Sequence, residues 1–297
     1  MKKILYFSIL IFLYPHIGYT KRLKILTTTN NLKNIVEAVT GELDHVESFS
    51  KGTQDPHYIE AKPSYMLKAS KADLLVSVGF DLEVGWLPLI LKGARNPKIR
   101  PRGDGSLVAG DYINPLERPT MEITRADGDV HPEGNPHFLL DPLNAIKVAK
   151  ALKDKLIELS PDNKLDYERN FSIFSKNILN GLEGWKKRVP KDKKVISYHK
   201  TLTYFYHRFG IKSVSLLEPK PGVPPSASHI LGVIKKARKE RIQTILVENY
   251  FDPTVADRVA REVKGLKVKI VPVSVYGNTK VKNLFDLYES LVKAVED

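Results

Sequence analysis

Apolar positions along this chain switch repeatedly between a period of two and a helical period, and the switching predicts its architecture. Leu23 to Thr28 alternates as a strand does, and Asn31 to Val39 follows at helical spacing, closed by Gly41. His45 to Phe49 reads as a second strand, Ser64 to Lys71 as a helix and Asp73 to Val78 as a third strand. Leu82 to Ala94 reads as an amphipathic helix containing Trp86. Between Asn96 and Asn135, Pro, Gly and Asp dominate, so loop with one short strand is expected. Pro142 to Leu159 is helical, with proline at its first position. After the break at Ser160-Pro161-Asp162 comes a long helix, Lys164 to Arg188, with Leu165, Tyr167, Phe171, Phe174, Ile178 and Leu182 along one side.

The second half repeats the alternation. Strands are expected at Lys194 to Ser197, Lys212 to Leu217, Thr244 to Val247 and Val268 to Val273. Helices are expected at Leu202 to Phe209, Ser226 to Lys239, Pro253 to Val263 and Leu284 to Val295. Strands alternating with helices imply βαβ units and parallel sheets. The expected fold is two Rossmann-like α/β lobes, 21–142 and 191–297, joined by a rigid helical spine over 143–190, with the functional cleft between them.

Residues 1–20 carry a basic start at Lys2 and Lys3, an apolar run from Ile4 to Tyr14, and the breakers Pro15 and Gly18. That order reads as a cleavable export signal, which places the expected mature protein in a periplasm. The chain has no cysteine, which excludes disulfides, thiolate metal sites, thiol catalysis and a lipid-modified cysteine. Its formal charge of +13 raises nucleic-acid binding as a possibility. The lysines, however, fall at helical intervals among apolar residues (Lys147 to Lys155, Lys186 to Lys194, Lys235 to Lys239), the pattern of a solvated helix face. We therefore expect no nucleic-acid partner.

The chemistry concentrates in histidines at strand-to-helix passages: His57 in Asp55-Pro56-His57, His137 in Asn135-Pro136-His137, and His199 in Ser197-Tyr198-His199. Neutral imidazole suits zinc and other late first-row metals. Ligands in open α/β sheets bind beyond the carboxyl ends of the strands, where these residues fall. A closed tetrahedral site needs a fourth donor. Glu248, ending a strand, is the first choice; Asp252 is second, because Asp252-Pro253 reads as a helix cap, and a water is the third. His131 is a spare ligand or a residue at the mouth of the cleft. His45 is expected to be structural or superficial, His207 too far along its helix to share a metal with His199, and His229 exposed.

These residues resemble a known family, the metal-binding receptors of ABC-type zinc and manganese importers (ZnuA/TroA-like solute-binding proteins). Asp55-Pro56-His57 with Lys62-Pro63-Ser64 is similar to the family's D-P-H segment, and Ala72 to Gly79 to its A-D-L strand. Asn135-Pro136-His137 through Asp141-Pro142 resembles its N-P-H-x-W-L-D-P motif, and His199 with Tyr204-Phe205 its H-x₄-Y-F segment. The resemblance implies that His57, His137 and His199 are metal ligands between two lobes. It also implies an aspartate in the loop after the last strand, but Pro272 to Leu284 contains no carboxylate. The family's frequent His- and acid-rich loop is absent between Asn96 and His131 as well.

The function expected from this is capture of a divalent metal, zinc first and manganese second, and its delivery to an ABC permease in the inner membrane by a monomeric, non-enzymatic carrier. An exported zinc chaperone or adhesin would use the same site. A secreted zinc hydrolase would need Glu248 as general base, and no HExxH-type pattern is present.

Overall fold

The computed structural model describes residues 22–120, 130–220 and 222–296. The expected signal segment, 1–20, lies outside them. The N-terminal sheet has the order β2-β1-β3-β4, all parallel: β1 is Lys24–Thr27, β2 His45–Ser48, β3 Leu74–Ser77 and β4 Ser106–Val108. The C-terminal sheet has the order β6-β5-β7-β8, also parallel: β5 is Lys194–Ser197, β6 Lys212–Leu216, β7 Thr244–Glu248 and β8 Lys267–Val271. β3 and β7 are buried along their whole length, as strands covered on both faces must be. The two-lobed α/β expectation holds.

The helices are α1 (Asn30–Thr40), α2 (Pro63–Ser70), α3 (Leu87–Ala94), α4 (Pro142–Leu159), α5 (Lys164–Arg188), α6 (Thr203–Phe209), α7 (Ala227–Glu240), α8 (Thr254–Glu262) and α9 (Leu284–Val295). α3 starts later than its sequence pattern suggested. Phe80 and Asp81 sit at positive φ (52° and 59°), and the chain turns through residue 86 before the helix opens at Leu87, with Pro88 in its first turn. Glu83 enforces this turn, because its buried carboxylate accepts from the backbone N–H groups of Val78 (2.7 Å) and Gly79 (3.0 Å). Burial pushes the Glu83 carboxyl up.

α5 is the spine. Its buried stripe is Tyr167, Ile178, Leu182 and Trp185, with Phe171 and Phe174 half-buried beside it. Leu165 is not on the stripe and is 79% exposed: two residues before Tyr167, it is turned to the opposite side of the helix. Each end of the spine is tied to a different part of the chain. The Tyr167 hydroxyl donates to Asp44 (2.8 Å), while Trp185 Nε1 donates to Glu289 (2.9 Å) and Arg188 spans Glu289 and Glu296 on and just beyond α9. The apolar face of α9 (Leu284, Leu287, Leu291, Val292) joins the cluster that contains Leu23, Ile25 and Leu32. The last helix thus packs against α5 and β8 and reaches α1 beside the N-terminal sheet. Among the described residues, no helix is long and apolar enough to cross a membrane.

Polar clasps bind the lobes across the cleft. Asn31 bridges the Val273 carbonyl (3.1 Å) and the Val275 N–H (2.8 Å), and Asn34 accepts from Leu284 N–H (2.9 Å). Gly52 lies so close to the facing loop that an added Cβ would stand 2.2 Å from the Val275 carbonyl oxygen. Only glycine fits there.

Candidate metal centre

Two of the three principal histidines are delivered by the same local device. In Asp55-Pro56-His57 and Asn135-Pro136-His137, the first side chain's oxygen accepts from the histidine's own backbone N–H (3.0 Å in each case). Proline keeps the residue before it out of the helical region, and the Asp or Asn turn then fixes where the imidazole leaves the chain. His199 is the second residue past the end of β5. β5 lies between β6 and β7, so connections depart to both sides of it, and the crevice at this switch point receives His199 and, from the end of β7, Glu248.

The imidazoles converge. The ring centroids of His57 and His137 are 5.3 Å apart, and those of His137 and His199 6.2 Å. His57 donates its Nδ1–H to Asp55 Oδ1 at 2.6 Å, and His199 donates its Nδ1–H to Glu218 Oε2 at 2.6 Å. A carboxylate behind the imidazole fixes the tautomer that leaves Nε2 as the free lone pair, the usual arrangement behind a metal-binding histidine. Among the described residues, His137 has no such partner. Part of the residue remains accessible, yet its Nε2 is sealed from solvent and has no hydrogen-bond partner among the described residues. Both oxygens of the fully buried Glu248 are in the same condition. Buried polar atoms are rarely left this way, so a ligand is the natural completion.

The electrostatics follow from these placements. Burial, reinforced by the charges of His57, His199 and His131, holds His137 well below the ordinary imidazole value of 6.5. Burial also pushes His199 down, but the Glu218 hydrogen bond and the charges of Glu248, Glu218 and Asp55 outweigh it and raise this ring above 6.5. Burial pushes the Glu248 carboxyl up, against the pull of His199. Asp55 is likewise pushed up by burial, yet the His57 ring wins and holds it below the usual range.

The signs give a pH prediction. A metal ion takes deprotonated imidazole, so the raised value of His199 means a proton must leave that ring on binding, whereas burial already favours the neutral form of His137. The affinity for any metal ion held by His199 should therefore rise with pH above 6.5. Calorimetry in buffers of different ionisation enthalpy should show proton release on binding; a buffer-independent heat would contradict this. In the metal-free protein, the contribution of His199 is full below 6.5 and is lost as pH rises through its raised folded value. His137 acts oppositely: stability falls as pH drops below 6.5, because the unfolded chain takes a proton that the buried ring refuses.

The other expectations sort clearly. Asp252 is exposed and accepts at Oδ1 from the backbone N–H (2.9 Å) and the hydroxyl (2.7 Å) of Thr254, a turn just ahead of α8. His207 and His45 are exposed, the latter against Glu47. His229 is not exposed as its sequence position suggested. It is half-buried, with Nε2 donating to the Leu216 carbonyl (2.8 Å). His131 comes to the centre, its Nε2 lying 3.1 Å from His57 Nε2. Glu218 went unnoticed in the sequence. It follows β6, the strand paired with β5, and is thereby placed beside His199; a carboxylate just past a strand end was the one available signal. Among the described residues, no set of three or more His, Asp or Glu side chains stands already arranged as a metal site, so the donors gather without being closed.

Two parallel α/β lobes with carboxylate-backed imidazoles meeting between them define a two-lobed protein built around an interlobe cleft. The chain belongs to the ZnuA family, described as zinc-uptake complex component A, periplasmic, which it matches over residues 25–297. It is 25% identical over 252 residues to the metal ABC transporter substrate-binding lipoprotein FimA of Streptococcus parasanguinis, covering 82% of this chain and 78% of that one. It is 26% identical over 250 residues to the manganese ABC transporter substrate-binding lipoprotein PsaA of Streptococcus pneumoniae, covering 81% and 76%. In fold it is similar to a zinc-bound ZnuA lacking residues 138–173, with a TM-score of 0.77 at 20% identity over 93% of this chain and 97% of the other.

Proposed function

We propose that this protein captures a divalent metal, zinc in preference to manganese, in the periplasm and hands it to an ABC permease in the inner membrane. The metal is cargo. His57, His137 and His199 hold it, with Glu248 as the site's own carboxylate. The observation that carries this reading is the sealed Nε2 of His137, without a partner among the described residues, between two imidazoles that Asp55 and Glu218 orient from behind. Imidazole-dominated sites suit zinc, while manganese prefers harder oxygen donors. Loading requires only that the gathered rings draw together. The relatives' names support carriage over catalysis, and two of the three nearby carboxylates are already committed to orienting rings, which leaves little for a general base.

The test is metal content. Protein purified from the periplasm of cells supplied with equal zinc and manganese should carry one zinc per chain and negligible manganese. Purification with manganese, or with neither metal, would refute the preference or the site. Glu218→Gln should weaken zinc binding by about 10–100-fold through loss of the carboxylate behind His199, without changing the number of ions bound. Competition against a chromophoric chelator reads this directly, and an unchanged affinity would remove Glu218 from the account.

A further inference from the structure

The contact between His57 and His131 is not explained by the three-histidine reading. Their Nε2 atoms stand 3.1 Å apart, although the residues are 74 positions apart in sequence, and their rings are tilted by only 33° with centroids 5.2 Å apart. His57 Nδ1 is already committed to Asp55, so its Nε2 is the face that meets a metal. Two nitrogens bonded to one tetrahedral zinc, each at 2.0–2.1 Å, stand roughly 3.3 Å apart. The observed separation is close to that value. His131 Nε2 therefore points at the same spot as His57 Nε2, and the two rings reach it from different segments.

Resting on the function proposed above, we infer that His131 is the fourth ligand, giving an all-imidazole set of His57, His131, His137 and His199. Glu248 then remains a buried carboxyl outside the ligand set, while Asp55 and Glu218 stay hydrogen-bonded to the rings of His57 and His199. In the metal-free protein, one Nε2 of the His57–His131 pair donates to the other. With the His57 tautomer fixed by Asp55, the proton belongs to His131 and moves to its other nitrogen when the metal takes its place. The composition of the last-strand loop agrees, since Pro272 to Leu284 offers no carboxylate to fill a fourth position. An all-nitrogen site also sharpens preference for zinc over manganese.

Zinc K-edge X-ray absorption of the full chain loaded with one equivalent of zinc distinguishes the two ligand sets, because imidazole gives outer-shell scattering that a carboxylate does not. The wild type should fit four imidazoles and His131→Ala three, with zinc affinity about 10–100-fold lower in chelator competition. His131→Gln, which keeps a polar side chain at the position, should behave as His131→Ala, and the exposed His207→Ala should match the wild type. A wild-type spectrum of three imidazoles plus oxygen, with His131→Ala binding as tightly as wild type, overturns this inference and leaves the three-histidine carrier intact. Failure of the wild type to bind zinc at all would instead overturn the proposed function.

Discussion

Replacing His137 with leucine should abolish tight zinc binding while leaving the metal-free protein at least as stable. The loss should be a thousandfold or more, about 4 kcal/mol, because it removes a donor at the centre of the cluster. The stability half of the prediction is the more discriminating. In most buried positions, loss of a polar side chain breaks a bond; here Nε2 has no partner among the described residues, so the native state bears its desolvation uncompensated. Leucine is similar in bulk and carries no such cost. Thermal unfolding after exhaustive chelation should give a midpoint equal to or above that of the wild type. A large drop would mean that His137 serves the fold and not a ligand.

The second large effect is expected at Arg208. This residue on α6 forks onto Asp141 with bonds of 2.8 and 2.7 Å, and Asp141 also caps α4 through the Leu143 N–H at 2.9 Å. The carboxylate side chain is only 4% exposed, and the fork raises Arg208 above its already high ordinary value. Arg208→Ala leaves a buried carboxylate without its cation, which costs about 3 kcal/mol or more and should lower the unfolding midpoint by roughly 6 °C or more. Lysine should restore only part of this, since a point charge cannot make the two parallel bonds. Asp141 lies four residues beyond His137, so the clasp also fixes the loop that presents that ring, together with the Tyr204 hydroxyl, which donates to the Asn135 carbonyl at 3.0 Å. Calorimetry showing an unchanged midpoint in Arg208→Ala would contradict this role.

The alternation of periods made the βαβ order readable because each strand and helix buries a face that its own sequence must make apolar. Where a boundary depended on something distant, the pattern misled. Leu82 to Ala94 has helical spacing throughout, but Glu83 turns back to cap the end of β3, and Pro88 delays the helix. Leu165 is apolar and faces outward. At the site, the Asp-Pro-His and Asn-Pro-His turns are local and so visible in sequence. The partnership of His199 with Glu218 is not, because it exists only when β5 and β6 lie side by side. Nor is the meeting of His57 with His131, which the folded cleft alone creates.

The claim that these imidazoles form one cargo site is tested most directly by anomalous diffraction at the zinc edge from crystals of zinc-loaded protein. One peak is expected per chain, within bonding distance of Nε2 of His57, His137 and His199, with Asp55 and Glu218 still behind the first and last of these rings. A tightly bound ion elsewhere in the molecule, with these three nitrogens left uncoordinated, would contradict the account.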